Sequence, residues 1–495
     1  MKKINFKLGL AALIIVSFTA CGSSGGGHDG AKNNVKTNKI DEQKLNTNTN
    51  TKDIIVTKSD QIALKASAGE TIINTGVIER SIGAGKPIKN NQNDEPLVED
   101  DVQDEDPFAW GMVAEGEKSL VINRGIIKTK GIQYSVLLHD QDRKGHPLYI
   151  EKGLGGTLMK ASNGGSAINE KELSGDVMVG MLAEGKKSIA TNDGLIKIKN
   201  AYYTEKGRPD TFFETGGMGM VSMDGGIVIN NKEINGLLST GMNASNSKAI
   251  NGKYGIIDST VATYHVENGN EPNYDSDGME GDENSLIENY GVIKGQFRYG
   301  MALEDKESKG INYGTINMEY EAKKYQDISG SNYAVGMISY DSGEAINKKD
   351  IDLNGNHEIG MKADGGTNSS GKSIKSKVRN EGIINVNKTH SIGLLAASSG
   401  AYAVNEEHGK IYLNSTDGIG MLAEGPDSTV ENRGEIYLSG ESKDGKGNIK
   451  NTSKNIYEHE GTIQYGIDNN RNVAMEARDG GKIINKGKII FKNNK

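Results

Sequence analysis

One phrase recurs about a dozen times along this chain. It reads Gly-Met-x-Ala, then a short polar stretch, then Asn-x-Gly-x-Ile, as from Gly111 to Ile127 and again from Gly420 to Ile436. The closest copies begin about 22 residues apart. A unit of this size cannot bury an apolar face alone, so it must stack on its neighbours. The repeat therefore predicts a solenoid.

The spacing of apolar residues decides between strands and helices. An apolar residue follows each Asn by four positions, and several copies add a second one two positions later, as in Asn192, Ile196 and Ile198. Spacing of two is typical of a strand with one buried face, whereas an amphipathic helix needs spacings of three and four. The Gly-Met-x-Ala half predicts a second strand with its Met and Ala side chains on one face. We interpret the repeated Met as a core ladder of flexible side chains rather than as a metal or redox site.

The Asn-x-Gly step predicts a turn, because Asn tolerates left-handed backbone angles and Gly adopts them freely. Stacked Asn side chains can also hydrogen-bond from coil to coil. We expect a different turn where the Gly is absent, as in Asn169-Glu170-Lys171-Glu172. Two copies depart further: Asn251 is out of step with Gly255-Ile256-Ile257, and Asn405 is followed by a longer stretch before Ile411. The predicted fold is an all-β, right-handed parallel β-helix of about 12–13 coils with inserted loops, about 60 Å long at a coil spacing of about 4.8 Å.

The N-terminus reads as an export signal. Basic residues precede an apolar run of about a dozen residues, and the junction Phe18-Thr19-Ala20-Cys21-Gly22 resembles a bacterial lipoprotein box. That resemblance implies cleavage before Cys21, acylation of its thiol and an outer-membrane location; an ordinary secretory signal is the alternative. The predicted domains are a signal peptide at 1–20, a flexible tether at 21–61, and the β-helix at 62–495.

Long loops are expected at about 80–109, 132–155, 200–217, 258–276, 318–333 and 440–472, and they hold much of the Tyr, His and charge. Loops on a rigid solenoid are where binding usually resides. The acidic stretch 94–106 could gather Ca²⁺ through carboxylate oxygens, but a solvated acidic loop explains it as well. The sequence leaves that question and the identity of the ligand open.

Enzyme chemistry finds little support. The sequence lacks a Gly-x-Ser-x-Gly elbow, a His-Glu-x-x-His motif and a phosphate-binding loop. We therefore expect no catalytic residue, cofactor or metal site. Acidic residues do recur after the Met-x-Ala strand, and stacked coils would align them as a charged stripe (Glu115, Glu184, Asp364, Glu424 and Asp479). A polysaccharide-acting β-helix enzyme thus remains an alternative. Removing Lys2, Lys3 and Lys7 with the signal peptide lowers the formal charge from −8 to −11, which disfavours nucleic-acid binding.

The repeated phrase resembles the passenger-domain repeats of fusobacterial-type autotransporters over about 62–490. This resemblance implies surface display and binding to host-cell or bacterial surface ligands, either protein or glycan. Some relatives pair a lipoprotein-type leader with a subtilisin-like protease domain, but the Gly-Thr-Ser-x-Ala motif of that family is absent. No run of amphipathic strands follows Phe491, so we expect either a stand-alone lipoprotein or a passenger fragment whose barrel or protease is encoded separately.

The function expected from the sequence is therefore a surface-exposed lipoprotein acting as a noncatalytic β-helical adhesin. Outer-membrane lipid, through acylated Cys21, is the expected anchor.

Overall fold

The computed structural model describes most of the residues that follow position 46. The described ranges are 47–57, 61–80, 109–129, 134–141, 147–152, 156–199, 201–204, 212–215, 217–259, 264–265, 273–274, 276–305, 307–320, 333–367, 373–439 and 472–492. They contain strands and turns, and three long parallel sheets account for most of the strands. Each coil contributes one strand to each sheet, so the described part of the protein is a right-handed parallel β-helix, as predicted.

The first sheet, here the Met sheet, holds the Met-x-Ala strands. Its thirteen strands are Leu64–Ser67, Ala109–Glu115, Thr157–Ser162, Val179–Glu184, Gly217–Met223, Leu238–Ser245, Asp277–Asp282, Tyr299–Leu303, Ala334–Ser339, Glu358–Asp364, Ile392–Ala397, Ile419–Glu424 and Val473–Arg478.

The second sheet, the Asn sheet, ends each strand on the Asn of the repeat. Its fourteen strands are Thr47–Asn50, Thr71–Asn74, Leu120–Asn123, Ser166–Asn169, Ile189–Asn192, Ile227–Asn230, Lys248–Asn251, Leu286–Asn289, Lys309–Asn312, Glu344–Asn347, Lys377–Asn380, Tyr402–Asn405, Thr429–Asn432 and Lys482–Asn485.

The third sheet, the Ile sheet, follows the turn after that Asn. Its fourteen strands are Ile54–Val56, Val77–Arg80, Ile126–Thr129, Glu172–Gly175, Leu195–Ile198, Glu233–Gly236, Ile256–Ser259, Val292–Gly295, Thr315–Met318, Asp350–Leu353, Ile383–Val386, Lys410–Leu413, Glu435–Ser439 and Lys488–Lys492.

Thirteen full coils follow from these three sheets, each running from the Met sheet to the Asn sheet to the Ile sheet. Coils 1 to 13 span 64–80, 109–129, 157–175, 179–198, 217–236, 238–259, 277–295, 299–318, 334–353, 358–386, 392–413, 419–439 and 473–492. The predicted coil number is thus confirmed. The solenoid also begins earlier than the predicted boundary at 62, because Thr47–Asn50 pairs with Thr71–Asn74 and Ile54–Val56 pairs with Val77–Arg80.

The Asn residues of the repeat form an unbroken ladder inside the coil. Each Nδ2 donates to Oδ1 of the Asn in the next coil, from Asn50 to Asn485, at 2.8–3.0 Å. The members from Asn74 to Asn432 are fully buried. Since an unpaired buried amide is costly, the ladder fixes the register of neighbouring coils as well as their spacing. This confirms the predicted coil-to-coil Asn bonding.

Asn251 and Asn405, the two copies whose spacing to the following Gly departs from the phrase, both lie in the ladder. Each is followed by a longer turn, and its Nδ2 also donates to the carbonyl oxygen of the Gly four residues on, at 3.3 Å for Gly255 and 3.2 Å for Gly409. The extra residues bulge outward and leave the strand register intact.

The Asn-x-Gly turn is confirmed, but its predicted cause was wrong. Among the described residues, neither the Asn nor the Gly of these turns has a positive φ. The Asn Oδ1 instead accepts from the backbone N–H two residues on, and it does so from Lys171 (3.4 Å) as well as from Gly125 (3.1 Å). The turn without Gly therefore takes the same form. At Gly125 a Cβ would overlap the carbonyl oxygen of Gly76 in the coil below, which favours Gly in that coil.

The core lies between the three sheets and is built from residue ladders. Met side chains stack in one register, and the Ala two residues later and the Ile-sheet Ile stack in two more, all buried. Met159 and Met475 belong to the ladder although no Gly precedes them, and Leu394 replaces Met in coil 11. The preceding Gly leaves room for the core: a Cβ at Gly300 would crowd Ile316 and the carbonyl of Gly336.

Candidate functional site

The predicted lipidation residue, Cys21, lies outside the described residues, as do the signal peptide and the acidic stretch 94–106. No helix in the described ranges is long and apolar enough to cross a membrane. Within the same ranges, no group of three or more His, Cys, Asp or Glu side chains is arranged to hold a metal ion.

The predicted acidic stripe is interrupted. Glu115, Glu184 and Glu424 share one column at the end of the Met-sheet strands, but Ser162 lies between the first two, and Met223 and Ser245 follow Glu184. Glu424 lies between Ala397 and Arg478, so the last acid of the stripe, Asp479, falls one residue beyond the column. Acidic residues therefore recur at this position of the repeat, but they do not form a continuous charged face.

Three carboxylates in this column, Glu115, Glu184 and Asp364, each lie beside a lysine of the Met sheet, with Asp364 2.8 Å from Lys362. Glu115 lies 2.5 Å from Lys65, and Glu184 lies 2.7 Å from Lys160. The hydrogen bond and charge of Lys65 lower the pKa of Glu115. A paired, partly solvated carboxylate of this kind is a poor general acid near neutral pH, because it stays ionised.

Asp282 differs from these paired acids, and the sequence reading missed it. Burial, together with the charges of Glu283, Glu304 and Asp305, raises the pKa of Asp282 to about 6, against a hydrogen bond from Ser245 that lowers it. Burial also raises the pKa of Glu424 in the same column. Asp282 occupies the same column as the predicted stripe. The sequence does contain a sign of this difference. In Met279-Glu280-Gly281-Asp282, a Gly replaces the Ala of the repeated phrase directly before the acid. A carboxyl group with a pKa near 6 can exchange protons at physiological pH.

The long insertions share one corner of the coil. Six connections run from the Ile sheet to the Met sheet of the next coil, between the strand ends Arg80 and Ala109, Thr129 and Thr157, Ile198 and Gly217, Ser259 and Asp277, Met318 and Ala334, and Ser439 and Val473. The predicted loop ranges are thus confirmed. A shorter hairpin at Gly366–Thr367 and Ser373–Ile374, which the sequence reading missed, lies at the Met-to-Asn corner instead.

Three of the insertions at this corner contain antiparallel hairpins. The paired strands are Tyr134–Gln141 with Pro147–Lys152, Ala201–Thr204 with Phe212–Thr215, and Tyr264–His265 with Asn273–Tyr274. These insertions follow coils 2, 4 and 6, so they recur at every second coil. Two hairpin strands are about 9.6 Å wide, and two coils rise by the same amount. The hairpins accordingly lie side by side, with Pro147–Lys152 against Ala201–Thr204 and Phe212–Thr215 against Tyr264–His265.

A buried carboxyl group stabilises the same corner farther along. Glu358 is fully buried, and its two carboxyl oxygens accept the backbone N–H groups of Tyr320 and Gly355, both at 2.8 Å. Burial raises the pKa of Glu358 to about 8 despite these two donors. His357 beside it stacks on His390 of the next coil, with ring centroids 5.2 Å apart. Because Tyr320 follows coil 8 and Gly355 follows coil 9, while Glu358 begins coil 10, this side chain links three successive coils.

Comparison with known proteins gives one partial match. Residues 331–450 are similar to the family described as the BigA third pectate lyase-like domain. No curated protein matches this sequence. The matched range contains coils 9 to 12, so the family resemblance and the stacked sheets agree on a pectate lyase-like β-helix in that part of the protein.

Proposed function

We propose that this protein is a bacterial surface lipoprotein whose β-helix is a noncatalytic adhesin or interaction scaffold. Its partners would be host-cell or bacterial surface ligands, protein or glycan, and acylated Cys21 would anchor it to outer-membrane lipid. The observation that carries the proposal is the insertion corner. The interior repeats similar ladders from coil to coil, whereas six connections that differ in sequence leave from one corner of the solenoid. That division suits a rigid support that presents recognition loops.

The lipid anchor and the relation to autotransporter passengers rest on the sequence. Cys21 follows an apolar segment and two small residues, and the repeated phrase resembles fusobacterial-type passengers. The anchor is tested by mass spectrometry of the protein extracted from membranes. An acylated N-terminal Cys21 supports it, and an intact signal segment or an unmodified thiol refutes it. A neighbouring reading frame that encodes a barrel or a protease would instead favour a passenger fragment.

Adhesion is tested by shortening one insertion at a time in the full-length protein. Residues 199–216 would be replaced by Asp176-Val177-Met178, the short connection that joins coils 3 and 4 at the same corner. We expect binding to host cells or partner bacteria to fall for at least one such variant. Shortening the hairpin at Gly366–Ile374, which lies at another corner, is the matched control and should leave binding unchanged. Equal binding by every shortened variant would refute the assignment to this corner.

A polysaccharide-acting enzyme is the second candidate, because Asp282 has a pKa near 6 and the matched family carries a pectate lyase-like description. This alternative predicts release of new ends from a polysaccharide, and it predicts that Asp282→Asn abolishes the release while the fold is retained. Absence of new ends across acidic and neutral polysaccharides would refute it.

A further inference from the structure

Two tyrosine side chains lie directly opposite each other on the outer surface of the Ile sheet. Tyr412 of coil 11 and Tyr437 of coil 12 are paired in register, and each lies between two strand neighbours whose side chains are buried in the core. Their rings are stacked nearly parallel, with centroids 4.5 Å apart and an interplanar angle of 15°. Both residues keep part of their surface in solvent. The two phenol rings are therefore held in contact and remain accessible.

A carboxylate lies at the hydroxyl end of this pair. The hydroxyl group of Tyr437 donates to Oε2 of Glu435, with 2.5 Å between the two oxygen atoms. This hydrogen bond raises the pKa of Tyr437 to about 12, and the side chain of Tyr412 is hydrogen-bonded to that of Tyr437 as well. Hydrogen bonds from Tyr437 and Lys488 lower the pKa of Glu435. The phenol of Tyr437 thus keeps its proton at neutral pH and already contacts an ionised group that can accept it.

We propose that Tyr412 and Tyr437 are a site of oxidative crosslinking, at which hydrogen peroxide and a haem peroxidase join the two rings through a carbon–carbon bond. An electron leaves a phenol more readily when a base takes up the proton in the same step, and Glu435 is in place to do this for Tyr437. Since the stacked rings already touch, the two oxidised rings meet without diffusion. This crosslink does not depend on the adhesion proposed above.

The reaction balances with peroxide as the oxidant. Each phenol loses one electron and one proton and becomes a phenoxyl radical, whose unpaired electron is shared with the ring carbons beside the C–O carbon. One such carbon of each ring forms the new bond, and the hydrogen on each of these carbons then moves to oxygen as a proton and restores the phenol. Hydrogen peroxide takes up the two electrons and two protons and becomes two molecules of water. The protein becomes lighter by two hydrogen atoms.

A second stacked pair lacks part of this arrangement. The rings of Tyr290 and Tyr313 lie 4.7 Å apart, but Nζ of Lys348 lies 5.8 Å from the centroid of the Tyr313 ring. Removing an electron from a ring beside a cation is unfavourable, because it brings positive charge next to positive charge. The hydroxyl group of Tyr290 is also farther from its carboxylate, at 3.4 Å from Glu288. We therefore expect crosslinking at this pair to be slower than at Tyr412 and Tyr437.

The crosslink would join coils 11 and 12 covalently on the outside of the solenoid. It closes the chain between the two tyrosines into a loop, and a covalent bond of this kind restricts the unfolded chain as a disulfide does. Since Cys21 is the single cysteine of this sequence, an internal disulfide cannot supply such a bond.

Mass spectrometry of the full-length protein, treated with hydrogen peroxide and a haem peroxidase, tests the site. Trypsin cleaves after Lys410, Arg433 and Lys443, which places the two tyrosines on the separate peptides 411–433 and 434–443. We expect these two peptides to be recovered joined, with a mass lower than their sum by two hydrogen atoms. Absence of the joined peptides from the oxidised wild-type protein would overturn the proposal.

Phenylalanine variants test which side chains react. Tyr412→Phe and Tyr437→Phe keep a ring but cannot form a phenoxyl radical, so each should abolish the joined peptides. Tyr299→Phe is the matched control and should leave them unchanged, because Tyr299 and Tyr340 are nearly perpendicular, at 75°, with centroids 5.9 Å apart. Joined peptides from Tyr299 and Tyr340 at the same yield would overturn the role given to stacking.

Two further measurements test the carboxylate and the consequence for stability. Glu435→Gln should slow crosslinking roughly threefold or more without lowering the final yield, whereas a variant with disrupted stacking would lose yield. Equal rates would overturn the role given to Glu435. Oxidation should raise the denaturant midpoint of the wild-type protein but not that of Tyr412→Phe, and the same shift in both would assign the stabilisation to another oxidised group.

Discussion

The two halves of the Asn sheet have the same interior and opposite exteriors. Inside, the Asn ladder runs without a break from Asn50 to Asn485. Outside, coils 1 to 5 present aliphatic and hydroxyl side chains, whereas coils 9 to 13 present ion pairs. Arg379, for example, lies 2.9 Å from Glu381 and 3.1 Å from Glu406. The interior is therefore constrained by stacking, and the exterior of the same strands is free to diverge toward different partners.

The largest expected effect comes from breaking the shared interior. Asn192→Ala and Asn312→Ala, one in each half, should each lower the free energy of unfolding by about 3 kcal/mol or more. Each removes two ladder bonds, so that the buried amide of each neighbouring Asn loses one hydrogen-bond partner. Denaturant titration followed by circular dichroism measures the loss. Asn231→Ala is the control, since Asn231 bonds Asp193 at the surface and its loss should cost less than about 1 kcal/mol. Clearly unequal losses in the two halves would contradict a uniform interior.

Much of this interior could be read from the sequence, because a stacked coil demands the same residue type at the same place. The spacing from Asn192 to Ile196 and Ile198 was sufficient to place strands, a turn and two core positions. The repeat did not predict contacts in which one side chain forms hydrogen bonds with several coils. Glu358 accepts hydrogen bonds from backbone N–H groups that follow two earlier coils. Nothing in the sequence around Glu358 distinguishes it from a surface acid.

The candidate sites were less accessible to sequence reading. Loop positions were correctly predicted, since long gaps between phrases must leave the solenoid. Their common corner depends on which sheet each strand joins, and the phrase alone does not say this. The pKa of Asp282 likewise depends on burial and on Glu304 in the next coil, a contact that appears only once coils are stacked.

The second effect is a pH dependence of stability that arises from Glu358, in the C-terminal half of the solenoid. The pKa of Glu358 is about 8 in the folded protein and near 4.5 when unfolded, so the folded state binds the extra proton between these values. Stability should therefore fall as pH rises from about 4.5 to 8, by a few kcal/mol. Glu358→Gln should remove most of that fall. Asp282→Asn is the control, because the pKa of Asp282 near 6 confines its effect to lower pH. An unchanged slope in Glu358→Gln would show that the carboxyl group does not titrate in this range.

A third, smaller effect has the opposite sign. Hydrogen bonds from Arg433, Lys486 and Tyr402 hold the pKa of Glu431 at about 2, although its burial opposes this. Its contribution to stability should be complete above pH 4.5 and should be lost as pH falls toward 2. Because the ion pairs are partly solvated, we expect about 1 kcal/mol. Glu431→Gln should remove this acid-side loss, as measured by thermal unfolding between pH 2 and 5. Retention of the full loss in the variant would assign it to other carboxylates.

The smallest expected effect compares an ion pair with an aliphatic side chain on the outer surface of the Asn sheet. Lys309 lies 3.3 Å from Glu344 of the next coil, with both side chains partly exposed, so Lys309→Ala should cost about 0.5 kcal/mol or less at low salt. The cost should disappear at high salt, because exposed charges are screened. Ile229→Thr in the aliphatic half should cost about 1 kcal/mol through lost apolar contact, and salt should not reduce that cost. Denaturant titrations of both variants at low and high salt measure the difference. An equal effect of salt on the two costs would contradict the assignment of apolar packing to the exterior of one half and of ion pairs to the exterior of the other.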